Sequence, residues 1–347
     1  MSARPARGSL ATAAPALGLL CACAFVVLMP SQAVAQTATR RGTPPRTIDG
    51  QPDLQGVWLS NSATPLERPV LLAGRTRLTD DEVAEFRRRA DRLFRSGNGD
   101  FAVGDGVYQA VLSNPETYRN PNATHSAAEM VDLEFDNRTS LIVDPADGRI
   151  PSVTEAGRRR QLAVAAAFAQ PASAGDVGNA LRCLSWGVPR LGGRYGAGDL
   201  SYYEIVQAPG YVVLTAEAGH ESRVIPLDGR PPLASAIRQW NGDSRGRWEG
   251  DTLVVETGNF SPKSYFMGAT DSLHVVERFT RTAPDRIEYE ITVSDPTTWT
   301  RPWTAMLPLR QRHEPLFEYA CHEGNYQQIS GMVRGAQAEA QQRAAGR

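Results

Sequence analysis

The segment Arg286-Ile287-Glu288-Tyr289-Glu290-Ile291-Thr292-Val293 alternates charged or polar with apolar side chains without a break. In an extended chain successive side chains point to opposite faces, so Ile287, Tyr289, Ile291 and Val293 share one face. One buried face and one wet face is the pattern of an antiparallel strand; a parallel strand, covered on both sides, reads as a continuous apolar run. Ala283-Pro284-Asp285 supplies a turn in front of it, which fixes register with His274 to Thr280. The same period of two recurs at Tyr202 to Gln207, Tyr211 to Glu217, Ser222 to Leu227, Gly246 to Trp248, Thr252 to Thr257 and Pro302 to Leu309. About eight to ten such strands at hairpin spacing bury one face without open edges only as a barrel or a sandwich. The barrel is the favoured reading, so the fold class is mainly β: an antiparallel β-meander closing into a lipocalin-like barrel, with a small N-terminal helical portion.

The first half reads differently. The folded body starts at Pro52-Asp53-Leu54-Gln55-Gly56-Val57-Trp58. Thr79-Asp80-Asp81-Glu82 forms a capping box, and Val83, Phe86, Ala90, Leu93 and Phe94 trace one helical stripe down to Gly97-Asn98-Gly99. A short hairpin is expected between Thr139 to Val143 and Arg149 to Pro151, turning through Asp144-Pro145-Ala146-Asp147-Gly148. Thr154 to Gln170 reads as a second helix. The resulting plan is residues 51–180 for a strand plus helical portion, 181–330 for the barrel, and 331–347 for a C-terminal tail.

Arg4 and Arg7, the apolar stretch Leu10 to Met29, and Ala33-Val34-Ala35 before Gln36 have the order of a secretory signal, residues 1–35, with cleavage after Ala35 and a periplasmic or secreted destination. The competing reading is a lipoprotein anchored at Cys23. Nothing later is apolar for long enough to span a bilayer, so no transmembrane anchor is expected after processing. Residues 36–50, rich in Thr, Arg and Pro, read as a flexible lead. Export would remove Cys21 and Cys23 and deliver Cys183 and Cys321 to an oxidising space, which predicts one disulfide between them.

Lys and Arg total 37 against 38 Asp and Glu, and no basic block stands out, which argues against a nucleic-acid partner held by phosphate neutralisation. Lys263 is the single lysine; the arginine bias reflects GC-rich coding more than selection for anion capture. The cysteines lie in no C-x-x-C pair and the histidines in no H-x-H or H-E-x-x-H, so neither a metal nor a cofactor is predicted.

The block Trp240-Asn241-Gly242-Asp243-Ser244-Arg245-Gly246-Arg247-Trp248-Glu249-Gly250-Asp251-Thr252-Leu253-Val254-Val255-Glu256-Thr257, with Gly219 to Arg230, resembles a large, mostly uncharacterised family of secreted bacterial proteins. The resemblance runs from about Pro52 to the C-terminal region and implies no catalytic residues. Gly56-Val57-Trp58 is similar to the G-x-W element that opens lipocalin barrels, and Gly246-Arg247-Trp248 matches it equally.

The candidates for chemistry are His and Glu residues near strand ends, because a neutral imidazole beside a carboxylate is the commonest general acid/base pair. His220 lies in the loop Glu217-Ala218-Gly219-His220-Glu221-Ser222-Arg223, where Glu221 could orient the ring and Arg223 hold an anionic group. Period two puts Glu277 on the apolar face of its strand, where it is either a proton-transfer group or a structural partner of an arginine. His322, beside Cys321, together with Glu323 and Tyr326, would be held in place by the disulfide, whereas His125 and His313 read as surface groups. Trp299-Thr300-Arg301-Pro302-Trp303 at a strand entry suggests a pocket rim formed by Trp299 and Trp303. Asp243, Arg245, Arg247, Glu249 and Asp251 read as a turn-rich polar network, and a GDS-esterase reading of Gly242-Asp243-Ser244 fails on fold context. Two functions follow: a barrel that binds a small apolar or aromatic molecule, or a cofactor-free hydrolase, lyase or isomerase using His220, Glu221, Glu277 and His322.

Overall fold

A computed structural model describes residues 45–95, 105–113, 133–191, 201–264 and 266–346. The signal segment with Cys21 and Cys23, most of the flexible lead, the Gly97-Asn98-Gly99 stop, His125 and Tyr265 lie outside the described residues.

Among the described residues, ten strands form one antiparallel sheet: β1 (Gly56–Leu59), β2 (Ile142–Asp144), β3 (Tyr202–Ala208), β4 (Tyr211–Ala216), β5 (Glu221–Pro226), β6 (Asp243–Glu249), β7 (Thr252–Gly258), β8 (His274–Ala283), β9 (Arg286–Ser294) and β10 (Trp303–Arg312). Nine of them run in the order β5-β4-β3-β1-β10-β9-β8-β7-β6, with β2 added on β10. The order carries the meander predicted from the alternation, with one rearrangement. β1 pairs with β3 through Trp58 and Tyr203, and with β10 through Trp58 and Gln311. The barrel therefore takes a central strand from the N-terminal portion, and the sequence division at residue 180 does not separate it from that portion.

The path ends at β5 and β6, which approach to make the barrel nearly closed. At this seam, among the described residues, the two strands pack without a ladder of paired residues. Gly246 makes the approach possible: a Cβ there would lie 2.6 Å from Leu227 Cδ2 and 2.8 Å from Ile225 Cγ2. Its role is close packing in mid-strand; the tight reversals on either side belong to Gly242 and Gly250, both at positive φ. Gly246→Val should therefore push the seam apart and cost about 1–3 kcal/mol by overpacking, read as a lower urea midpoint, whereas Arg247→Val on the exposed face should stay within about 0.5 kcal/mol. Equal midpoints for the two variants would mean that the seam is not packed.

The inward residues of this alternation form the barrel core, among them Ile205, Val212, Leu214, Ile225, Val275, Phe279, Ile287, Ile291 and Leu307. Among the described residues, four α-helices accompany it: α1 (Asp80–Arg95), α2 (Asp105–Leu112), α3 (Glu155–Ala169) and α4 (Asn325–Ala344). The capping box forms as the sequence indicates, Thr79 Oγ1 accepting from Glu82 N at 3.2 Å and Thr79 N donating to Glu82 Oε2 at 2.8 Å. Val83, Phe86 and Ala90 then pack with Tyr108, Val111 and Phe135 in a second, smaller core. Thr154 caps α3 through its hydroxyl. The expected tail is helical from Asn325 onward, with no buried residue. The expected hairpin at residues 139–151 is corrected: Ile142–Asp144 pairs with Thr304 and Ala305 of β10, while Arg149 to Pro151 is held from the 65–70 segment, Ile150 N donating to Glu67 Oε1 at 2.9 Å. A local turn signal cannot show that a long-range strand competes for the same edge. No described helix is long and apolar enough to cross a membrane.

Candidate functional site

The alternation of β8 places Glu277 between Val275 and Phe279 on the inner face, and its side chain is 0% exposed. A bare carboxylate there would cost several kcal/mol, so a partner is required. It comes from β5, a strand not adjacent to β8 in the sheet: Arg223 Nη1 donates to Glu277 Oε2 at 2.6 Å and Nη2 donates to Oε1 at 2.9 Å, a bidentate pair across the interior. The Tyr289 hydroxyl, from β9, donates to the same carboxylate. Burial, and then the Glu277 charge, push the Tyr289 phenol well above its ordinary pKa, so it remains a donor at neutral pH. Burial lowers the Arg223 pKa, but the charge and hydrogen bonds of Glu277 outweigh it and the net shift is upward. The arginine partnership expected for Glu277 is present.

Beside this pair lies a cleft of about 500 Å³ including its open mouth, whose enclosed part is narrow. Its apolar walls are Ile205, Leu214, Ala216, Phe279 and Leu309, all pointing in from the barrel strands. Phe279 and Tyr289 stack at 4.4 Å between ring centroids, as their direct pairing across β8 and β9 allows. Tyr203 and Arg223 supply polar groups from the wall. Burial raises the Tyr203 pKa to about 12, so this phenol also keeps its proton.

The remaining wall is not part of the sheet. Gly187, Val188 and Arg190 belong to a strap, residues 181–191, laid against the turn between β4 and β5. Glu221 is the anchor: it accepts from Trp186 N at 3.0 Å, from Asn241 Nδ2 at 3.1 Å and from Arg190. Arg190 also donates to Ala218 O at 3.1 Å and lies over the Trp186 ring. Cys183, in the strap, is bonded to Cys321 in the segment leading to α4, with Cα atoms 5.8 Å apart. That segment is fixed to the same turn, Phe317 N donating to Glu217 Oε2 at 3.0 Å and Tyr319 N to His220 Nδ1 at 3.2 Å.

The structure thus brings Glu221, Arg223 and Glu277 to one place and leaves the other candidates elsewhere. His220 is exposed and its Nδ1 is occupied as an acceptor for the Tyr319 backbone. His322 is exposed and Tyr326, on α4, is 84% exposed; neither lines the cleft. The expected rim at Trp299 and Trp303 is corrected: they are 1% and 0% exposed, packed edge to face with each other in the barrel core, where Phe266 meets Trp299 edge to face and stacks on Trp303. Their burial follows from the chain before α3, where Val153 bridges to Trp299 and covers this strand entry. Arg190 and Asn241 were not among the sequence candidates. Asn241 stands in the distinctive block, but Arg190 lies in an irregular stretch with no pattern to mark it. Among the described residues no group of three or more His, Cys, Asp or Glu is arranged to hold a metal. In comparisons with known proteins, no protein-family model matches this chain and no curated protein matches it significantly.

Proposed function

We propose that the protein binds a small, largely apolar molecule in the barrel interior, entering beside the strap of residues 181–191. The observation that carries this reading is the cleft itself: apolar strand residues converge on a few polar groups whose positions are fixed by buried ion pairs, the usual composition of a small-molecule site. The signal-like N-terminus and the resemblance of the Trp240 to Thr257 block support a periplasmic or secreted binding protein. The acid/base reading lacks a comparable support, since neither His220 nor His322 lines the cleft, and Glu277 lies behind Arg223 and Tyr289.

The neutral naphthalene ketone 6-propionyl-2-dimethylaminonaphthalene (prodan) tests it, because its emission shifts to the blue on leaving water. The expected result is saturable binding with Kd on the order of tens of micromolar, about 6 kcal/mol for a ligand of this size. Ala216→Phe, which fills the cleft from β4, should abolish the shift while far-ultraviolet circular dichroism stays unchanged. Uptake that is undiminished in Ala216→Phe would place the dye elsewhere and defeat the proposal.

A further inference from the structure

Resting on the binding reading above, we infer that the cleft selects an apolar molecule carrying a neutral hydrogen-bond acceptor, such as a ketone, ester or amide carbonyl, and that Tyr203 is the residue that recognises it. The charges of the cleft cancel in pairs, Arg190 with Glu221 and Arg223 with Glu277. All four side chains are at most 15% exposed, so little solvent is present to compensate an added charge. A ligand carboxylate would bring a third anion next to Glu221 and Glu277 and leave one buried charge unmatched, which is unfavourable. An ammonium would meet two guanidiniums and a carboxylate pair already saturated by them.

What the cleft has left over is donors. The Glu221 carboxylate already accepts from three groups, and that of Glu277 from Arg223 and Tyr289. By contrast, Tyr203 lines the cleft and its hydroxyl makes no hydrogen bond with any described residue. Among the described residues, Arg223 reaches Glu277 through Nη1 and Nη2 with no acceptor for its Nε, and the hydrogen bonds of Arg190 come from Nη2. Tyr203 keeps its proton because burial raises its pKa to about 12, so it is a donor at every pH at which the protein would work. A half-buried donor without a partner, beside arginine N–H groups and apolar walls, matches a carbonyl oxygen at the end of a hydrocarbon body. Tyr203 is held in that position by β3 pairing, opposite Ala216 of β4 and Trp58 of β1.

Three probes with one apolar body separate the possibilities: 4-phenylbutan-2-one, 4-phenylbutanoate and butylbenzene, each titrated against bound prodan on the oxidised protein at pH 7. The ketone should compete about tenfold more tightly than butylbenzene, the gain of one good hydrogen bond, and at least tenfold more tightly than the carboxylate. Tyr203→Phe should erase the advantage of the ketone while butylbenzene competes as before. Carboxylate binding equal to or tighter than the ketone overturns the inference, as does a ketone advantage that survives Tyr203→Phe. Butylbenzene and the ketone competing equally in the unaltered protein would overturn the inference and leave the apolar cleft standing; no uptake of prodan at all would remove both.

Discussion

Glu277→Ala should lower the stability of the barrel by about 3–5 kcal/mol, because it leaves the Arg223 guanidinium buried without its counter-charge. For a protein of this size the loss amounts to a fall of roughly 5–8 °C in the unfolding midpoint. The reason lies in geometry: Glu277 is wholly buried and Arg223 nearly so, and both oxygens of the carboxylate are engaged. Removing both charges should be kinder than removing one, so Arg223→Met with Glu277→Leu should recover most of the loss. Thermal unfolding of the parent, Glu277→Ala and the double variant decides it. If Glu277→Ala unfolds within about 0.5 kcal/mol of the parent, the pair is solvated, and the interior beside the cleft is wet rather than apolar.

The second large effect concerns the disulfide. Cys183 and Cys321 are separated by 138 residues, and the bond between them encloses β3 to β10 in one covalent loop. A loop of that length corresponds to about 5 kcal/mol in the chain-entropy treatment, and native bridges commonly return about 2–5 kcal/mol. Cys183→Ser, Cys321→Ser and the double variant should therefore all lose the same amount, as should the reduced parent. The loss should also be felt at the cleft, since Val188 and Arg190 are carried by the strap that Cys183 holds. Titration of the denatured but unreduced protein should find neither Cys183 nor Cys321 reactive; two thiols from this pair would contradict the bridge.

The sequence carried the strands well because period two is a local signal: Ile287, Tyr289 and Ile291 announce their shared face within eight residues, and all of them are buried. Pairing over long distances has no such signal. Nothing in Gly56-Val57-Trp58 says that it enters between β3 and β10, and nothing near Asp144 says that β2 joins β10 instead of closing a hairpin. The site shows the same division. Glu277 was legible as an inward carboxylate from the alternation of its own strand. Arg223 was legible as a polar group beside the β4–β5 turn, but their partnership spans 54 residues and depends on how the barrel curls. Trp299 and Trp303 read alike at a rim or in a core, and the covering segment at Val153 decides for the core. His220 was chosen for its loop and its acidic neighbours; its ring instead holds the Tyr319 backbone.

Ligand entry into the barrel interior, as proposed above, has a competing location on the molecule. A second depression, of about 950 Å³ and more open, lies outside along the seam, lined by Arg230, Asp243, Arg245, Arg247, Glu256 and His274 from the distinctive block and its neighbours. Its arginines are already paired with carboxylates, Arg230 with Asp228, Arg245 with Asp243, and Arg247 with Glu249 and Glu256, so its charges are matched within its own wall. Amide chemical-shift mapping during titration with 4-phenylbutan-2-one separates the two directly. The account predicts shifts at Val188, Tyr203, Ile205, Leu214, Ala216, Phe279 and Tyr289, with Arg245, Arg247 and His274 unmoved; shifts confined to the latter group would contradict it.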